Sequence, residues 1–391
     1  MTHNGIHIGL GARAWTCLLA LCLLIPSVGI ATQDDAALAD FHNRSLAAWP
    51  PTATFSADPV AYFQHSKSWL ADRVYPIKQV TELQKSVVYY AFRSAPEASV
   101  TLGRDDHIFL NGGSIAEINE LFEKPCIRGH RKRSARALEG TMAAWAAVGR
   151  GGGYAVDVIV IPTSATIYAD KLPHQVPAIY RGACAERMRG NSPLHTVRPA
   201  DGVTFLYPLR EMLVARDDEA FFPRGNWHPT GLSLKVVRDA YLAKLSVKTT
   251  IDEVLERGVA PAEIMLPYGI HQAEPTYFVR NRNLTAESKH NAALRDAIAN
   301  LFGGGRMVTH VFSNTKPVVD QSVLMLSDSF GERAAETFAG AFRNLIQITT
   351  NDLQRGQALQ VVKRVRHLHP IDRVILLIQE GNTRRIANWH R

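Results

Sequence analysis

Cysteine is scarce in this chain of 391 residues. There are four, and two of them, Cys17 and Cys22, sit in an apolar stretch near the start. No Cys-x-x-Cys pair, no His-Glu-x-x-His and no Asp-rich calcium loop occurs, so the common zinc and calcium motifs are excluded and no metal is expected. The glycine runs Gly151–Gly153 and Gly303–Gly305 lack the strand–helix setting and the lysine of a phosphate loop, and read as turns. Internal repeats and low-complexity segments are also missing, which argues against a solenoid. Charged residues make up only 20% and hydrophobic ones 46%. That balance excludes a disordered chain and suffices for a substantial core in one large or two medium domains.

Long apolar runs are absent except at the beginning. Arg13 precedes the stretch Trp15 to Ile30, which ends in Pro26 and small residues, with Gly29-Ile30-Ala31 in the form of a cleavage site. Residues 1–31 read as a signal peptide, with an uncleaved signal anchor as the alternative. Cys126 and Cys184 then remain, and two cysteines in an exported chain suggest one disulfide, two free buried thiols being the other reading. The formal net charge is +8. Its densest basic run, Arg128 to Arg136, suits a polyanion, a phospholipid surface or a solvated loop. With no recognisable nucleic-acid motif, no nucleic-acid partner is expected.

Residues 32–95 read as a lead-in followed by helices, with apolar spacing at Phe63, Trp69, Leu70 and Val74. Residues 96–391 read as the main domain. Val100 to Leu110 has the pattern of a hairpin that turns at Gly103–Asp106, with His107 on its surface. Helices are expected over 114–123, 134–148 and 230–246. Strong buried strands are expected at Val156–Ile161, Val323–Leu326 and Val374–Ile378. A turn-rich, β-rich insertion is expected at about 258–316. Strands alternating with helices point to an α/β fold with a mostly parallel sheet.

The most informative strand is the one that stops at Ser327-Asp328-Ser329-Phe330-Gly331, because a helical stretch follows at once. A strand that turns tightly into a helix puts Ser329 at the carboxyl edge of the sheet, where open α/β folds hold their chemistry. The helix N-terminus supplies unpaired N–H groups for a developing oxyanion. Asp328 and Ser329 alone equally suit an N-cap pair. Upstream, Asn226-Trp227-His228-Pro229-Thr230-Gly231 precedes another helix. His228 is a candidate base for Ser329, and Asn226 a candidate to orient its ring, although a carboxylate would serve better because it also stabilises the imidazolium. Asn226 and Thr230 also suit ordinary turns and caps.

Taken in order, these segments resemble the SGNH-hydrolase-like proteins of alginate O-acetylation, the AlgJ and AlgX family. The resemblance runs over most of residues 40–382. It is carried by Asn43-Arg44-Ser-Leu-Ala-Ala-Trp-Pro50, Asp72-Arg73-Val-Tyr-Pro76, Gly103-Arg-Asp-Asp-His-Ile-Phe-Leu110 and Ile161-Pro-Thr-Ser-Ala-Thr-Ile-Tyr168. Ser327-Asp-Ser-Phe330 and Glu380 complete it. The departures are Ser164 where lysine is usual, Ser327 in place of glycine, and Asn226-Trp227-His228 where the family has Asp-x-His-Trp. Aligned on the histidine, the acid becomes Asn226. Aligned on the tryptophan, Asn226 takes the histidine's place and no base remains.

The resemblance implies an SGNH-hydrolase-like three-layer sandwich with a small β-rich insertion. It implies an exported, periplasmic polysaccharide O-acetyltransferase that works through a Ser329 acetyl-enzyme, with a polysaccharide substrate, a membrane-embedded acyltransferase as acetyl-donating partner and no soluble organic cofactor. Oxyanion or substrate contacts would fall to the backbone of Ser329, Phe330 or Gly331, to the Asn351 side chain and to Arg333, beside Asp328. Glu380 is expected to pair with an arginine. Two other readings stand open: a polysaccharide acetylesterase using the same residues, and a catalytically weak glycan-binding or scaffold subunit.

Overall fold

The computed structural model describes residues 34, 35, 38, 46–73, 77–112, 120–303, 307–353 and 356–389. The signal segment, with Cys17 and Cys22, lies outside them, as do Asn43-Arg44 and most of the helix expected at 114–123. Among the described residues no helix is long and apolar enough to cross a membrane.

The chain forms two compact units. The first comprises residues up to Pro96 together with Met265–Ile270, and the second comprises Glu97–Ile264 and His271–Arg391. The first unit is helical: α1 (Thr52–Ala57), α2 (Pro59–Arg73) and α3 (Ile77–Phe92). At the end of α2, Asp72 and Arg73 are buried and hold the lead-in from both sides. Asp72 Oδ2 accepts from the Ala47 N–H at 2.7 Å, and Arg73 Nη1 donates to the Ala47 carbonyl at 3.0 Å. Buried charged groups need such partners.

The second unit opens with the expected hairpin, β1 (Val100–Leu102) against β2 (Ile108–Leu110), antiparallel. His107 is not on its surface. It is 7% exposed and packs on Tyr168 at 4.5 Å between ring centroids, and this burial lowers its pKa. The strands β3 (Ala155–Ile161), β4 (Val203–Leu206), β9 (Val319–Ser327), β10 (Phe342–Thr349) and β11 (Arg373–Gln379) run parallel. Among the described residues they belong to a seven-stranded sheet of order β4-β3-β11-β9-β10-β8-β7, in which β7 is Leu284–Ala286 and β8 is Thr309–Asn314. Its central strands are near-continuous apolar runs because both faces are covered.

On one face lie α4 (Lys132–Gly152), α8 (Ser288–Ile298), α10 (Gln357–Leu368) and α11 (Thr383–Trp389). On the other lie α6 (Leu209–Ala215), α7 (Gly231–Lys244) and α9 (Ser329–Ala339). A further helix, α5 (Ala178–Met188), is tied by the Cys126–Cys184 disulfide to the short helical segment Lys124–Arg128.

This is an α/β three-layer sandwich with a mostly parallel sheet. The stretch expected to be one β-rich insertion divides into two parts. β5 (Glu253–Pro261) and β6 (Ala273–Asn281) form a separate antiparallel ribbon. The remainder, β7 (Leu284–Ala286), α8 and β8 (Thr309–Asn314), joins the main sheet, with β8 antiparallel to β10 and β7 antiparallel to β8. The short polar run of β7 suits its place at the sheet's edge, where one side stays unpaired, while β8 is paired on both sides, to β10 and to β7.

Candidate active site

The central strand β9 carries Val323–Leu326, all fully buried, and ends at Ser327. The strand end is locked. Ser327 Oγ accepts from Gln347 Nε2 of β10 at 3.0 Å, and its carbonyl accepts from the N–H and hydroxyl of Thr350. The helix α9 then starts at once. Gly331 is required there because a Cβ on it would collide with the Ser327 side chain. Only a residue without a side chain lets the first turn sit on the strand it has just left.

Asp328 is the N-cap. Its Oδ1 accepts from the Phe330 N–H at 3.0 Å, and its Oδ2 accepts from the Gln379 N–H and from Asn382 Nδ2. Burial pushes the Asp328 carboxyl up, against these hydrogen bonds. It therefore ties β9, β11 and α9 together and does not face the serine's partner. The cap also engages donors expected for an oxyanion hole. Phe330 N–H points to Asp328 Oδ1, and Gly331 N–H points to the Asp328 carbonyl at 3.1 Å. The N–H of Ser329, first in the helix, has no intrahelical acceptor and is the donor left over. Asn351 lies exposed in the turn after β10, and no hydrogen bond joins it to Ser329 or His228 among the described residues.

Ser329 Oγ meets His228 Nε2 at 2.8 Å. The other ring nitrogen, Nδ1, meets Glu263 Oε1 at 2.7 Å, and the His228 backbone N–H donates to Glu263 Oε2 at 3.2 Å. One carboxylate thus holds both the ring and the backbone of the histidine. An ionised Glu263 accepts the Nδ1 proton, which leaves the Nε2 lone pair facing the serine hydroxyl. Phe330 stands against the imidazole at 5.3 Å between ring centroids and limits its rotation.

Glu263 takes the role assigned to Asn226. The Asn226 side chain is buried and does not touch the ring. Its Oδ1 accepts from the Glu263 backbone N–H at 2.8 Å. Two loops run side by side here, Gly225–His228 and Ala262–Ile264. Ile264 N–H donates to the Gly225 carbonyl at 2.9 Å, Glu263 N–H donates to Asn226, and His228 N–H donates to Glu263. Gly225 permits the approach, since a Cβ there would lie 2.7 Å from that of Ala262.

Burial raises the Glu263 carboxyl, but hydrogen bonding and charge from His228, with Arg333 nearby, outweigh it and bring it down to about 2. Arg333, on the first turn of α9, reaches Glu263 Oε1 at 3.1 Å and is 54% exposed. It abuts the acid and does not contact Ser329.

Two proposed roles are thereby reassigned, and Glu263 is a residue the sequence reading missed. A faint signal existed: a lone acid flanked by Ala262 and Ile264, both buried. Among the described residues Glu380 likewise pairs with no arginine. It meets His130 Nε2 at 3.0 Å. Among the described residues no group of three or more acidic, histidine or cysteine side chains is placed to hold a metal.

No family model and no curated protein sequence matches this chain. Similar solved structures include PatB1 of Bacillus cereus, at 10% identity and a TM-score of 0.44 over 65% of this chain and 91% of that one. The O-acetyltransferase domain of Pseudomonas putida AlgJ is similar at 13% identity and a TM-score of 0.40, over 73% and 92%. Pseudomonas aeruginosa AlgX follows at 10% and 0.42, over 77% and 67%. Likenesses at this level say nothing of chemistry, which is decided by the chain's own side chains.

Proposed function

We propose that this protein is an exported O-acetyltransferase that moves acetyl groups onto an exopolysaccharide of the alginate type. The observation that carries the reading is the continuous contact Ser329 Oγ–His228 Nε2, His228 Nδ1–Glu263 Oε1. It supplies a nucleophile, a base and an orienting acid in the order acyl transfer needs. Half-burial of Ser329 keeps the hydroxyl reachable.

In the first half-reaction Ser329 Oγ attacks the donor's acetyl carbonyl while His228 Nε2 takes the hydroxyl proton. Glu263 stabilises the imidazolium, and the N–H of Ser329 faces the developing oxyanion. The donor's C–O bond breaks and His228 returns the proton to the leaving oxygen. In the second half-reaction His228 takes the proton of a sugar hydroxyl. That oxygen attacks the acetyl-serine, and Ser329 recovers its proton. The donor would be a membrane-embedded acyltransferase partner and the setting the periplasm, in keeping with the Cys126–Cys184 disulfide. The rival reading, a catalytically weak scaffold, rests on the changes at Asn226 and Ser327; the Glu263 carboxylate beside His228 speaks against the first of these grounds.

The test is intact mass after incubation with an activated acetyl ester, beside Ser329→Ala and His228→Ala. An acetyl adduct mapped to Ser329 and absent from the serine variant supports the reading. A folded protein with no adduct at Ser329 overturns it. Acetyl release that rises with added glycan at constant donor consumption separates transfer from hydrolysis.

A further inference from the structure

A second serine–histidine–glutamate relay lies elsewhere in the second unit and shares no residue with the first. His130 opens the turn before α4, and its imidazole is fully buried. Its Nδ1 is hydrogen-bonded to Ser192 Oγ, and its Nε2 meets Glu380 Oε2 at 3.0 Å. Glu380, at the carboxyl end of β11, is saturated with donors. Tyr207 Oη donates to Oε2 at 2.6 Å. The Thr163 N–H and hydroxyl donate to Oε1 at 2.9 and 2.8 Å, and Thr166 Oγ1 also donates to Oε1. Burial raises the Glu380 carboxyl, but His130 and these donors more than offset it and hold it below the usual range.

An ionised Glu380 fixes the histidine tautomer. It accepts the Nε2 proton and leaves Nδ1 to accept from the Ser192 hydroxyl. Ser192 Oγ also accepts the Leu194 N–H at 3.0 Å and keeps one lone pair uncommitted. Ser192 is 8% exposed, and it lines a cavity of about 420 Å³. Lys132, Arg136, Glu139 and Thr196 line the same cavity. Glu139 is already engaged, accepting the Arg198 N–H at 3.0 Å. Lys132 and Arg136 are exposed and have no carboxylate partner among the described residues. They are the part of the basic run Arg128–Arg136 that meets a concave surface.

We propose that Ser192 is a second activated serine, which takes an acyl group from a small ester whose alcohol portion is anionic. Ser192 Oγ adds to the ester carbonyl and its proton passes to His130 Nδ1, while Nε2–H stays on Glu380. The bond from the carbonyl carbon to the alkoxy oxygen breaks, and the same proton goes to the departing oxygen. The products are an acyl-Ser192 ester and a free anionic alcohol. Lys132 and Arg136 hold the anion and so select the ester. The assignment is independent of Ser329.

The experiment uses the full chain carrying Ser329→Ala, which silences the first site. It is treated with methanesulfonyl fluoride and, separately, with 4-acetoxybenzoate or its uncharged methyl ester, and adducts are located by peptide mapping. A single adduct at Ser192 is expected. Acetylation should be roughly tenfold faster from the anionic ester, a preference lost in Lys132→Gln/Arg136→Gln. Mapping needs no change at Ser192, so a folding defect in Ser192→Ala cannot obscure the answer. An unmodified Ser192, in protein whose circular dichroism and thermal transition match the wild type, overturns the proposal. Equal rates from the two esters overturn the anionic substrate class.

Discussion

His228 and Glu263 are 35 residues apart in sequence and meet at 2.7 Å, and the same carboxylate also accepts the histidine's backbone N–H. The acid that orients the base thus comes from the connection leaving ribbon strand β5. Its position depends on a loop-to-loop ladder, and each rung of that ladder has a measurable consequence.

Replacing Glu263 by Gln keeps the volume but removes the charge and offers an N–H to Nδ1. The tautomer that leaves Nε2 free is no longer favoured. Acetyl-enzyme formation should fall by roughly two to four orders of magnitude, with little change in donor KM. Stopped-flow acetylation of the variant checks this. A rate within threefold of wild type would remove Glu263 from the relay.

Asn226→Asp should not raise activity, because the Asn226 side chain serves the Glu263 backbone N–H and not the imidazole. An aspartate retains that acceptor, so the rate should stay equal or drop modestly through repulsion with Glu263. Asn226→Ala removes the acceptor from a half-buried N–H and should cost about 1 kcal/mol of stability as well as activity. Urea unfolding and steady-state rates measured together would show both losses.

Arg333→Gln removes a cation 3.1 Å from Glu263 while leaving the His228 contacts in place. Exposed pairs contribute little. A severalfold loss in kcat/KM is expected, and it should shrink as salt is added to the wild type. A loss as large as that of Glu263→Gln would mean that Arg333 contacts the reacting atoms.

The pH dependence follows from the depressed Glu263 carboxyl, at about 2 in the fold against an ordinary 4.5. A folded pKa below the unfolded one gives stability that is fully present above about 4.5 and lost as pH falls toward 2. Unfolding free energies of wild type and Glu263→Gln should therefore differ near neutrality and converge at low pH. A constant difference across that window would contradict the pairing.

Reduction of Cys126–Cys184, which lie 58 residues apart, should destabilise the second unit by about 2–4 kcal/mol, because the bond closes a long loop in the unfolded chain. Thermal unfolding of Cys126→Ser/Cys184→Ser beside wild type measures it. Activity at low temperature should survive, since neither cysteine touches Ser329, His228 or Glu263.

The sequence by itself determined what local pattern can encode. Apolar runs buried on both faces set the strands around 156–161, 323–326 and 374–378. The abrupt polar stop at Ser327–Gly331 set a strand-to-helix turn with a reachable serine. The hairpin at 100–110 and the helix from Gly231 followed from period and turn chemistry. His228 was legible because a histidine before a helix stood out beside the serine block.

Only the tertiary structure decided the partners. Glu263 became the acid because Gly225 lets two loops approach, a contact between segments with no shared period. Asp328, legible as a cap, also became a tie between β9 and β11, because Gln379 N–H and Asn382 Nδ2, 51 and 54 residues on, converge on its other oxygen. His107 and Glu380 were drawn inside because Tyr168 in one case and His130, Tyr207 and two threonines in the other gave them buried company. Periodicity reports which face of an element is covered, and it carries no information about which distant side chain arrives to cover it.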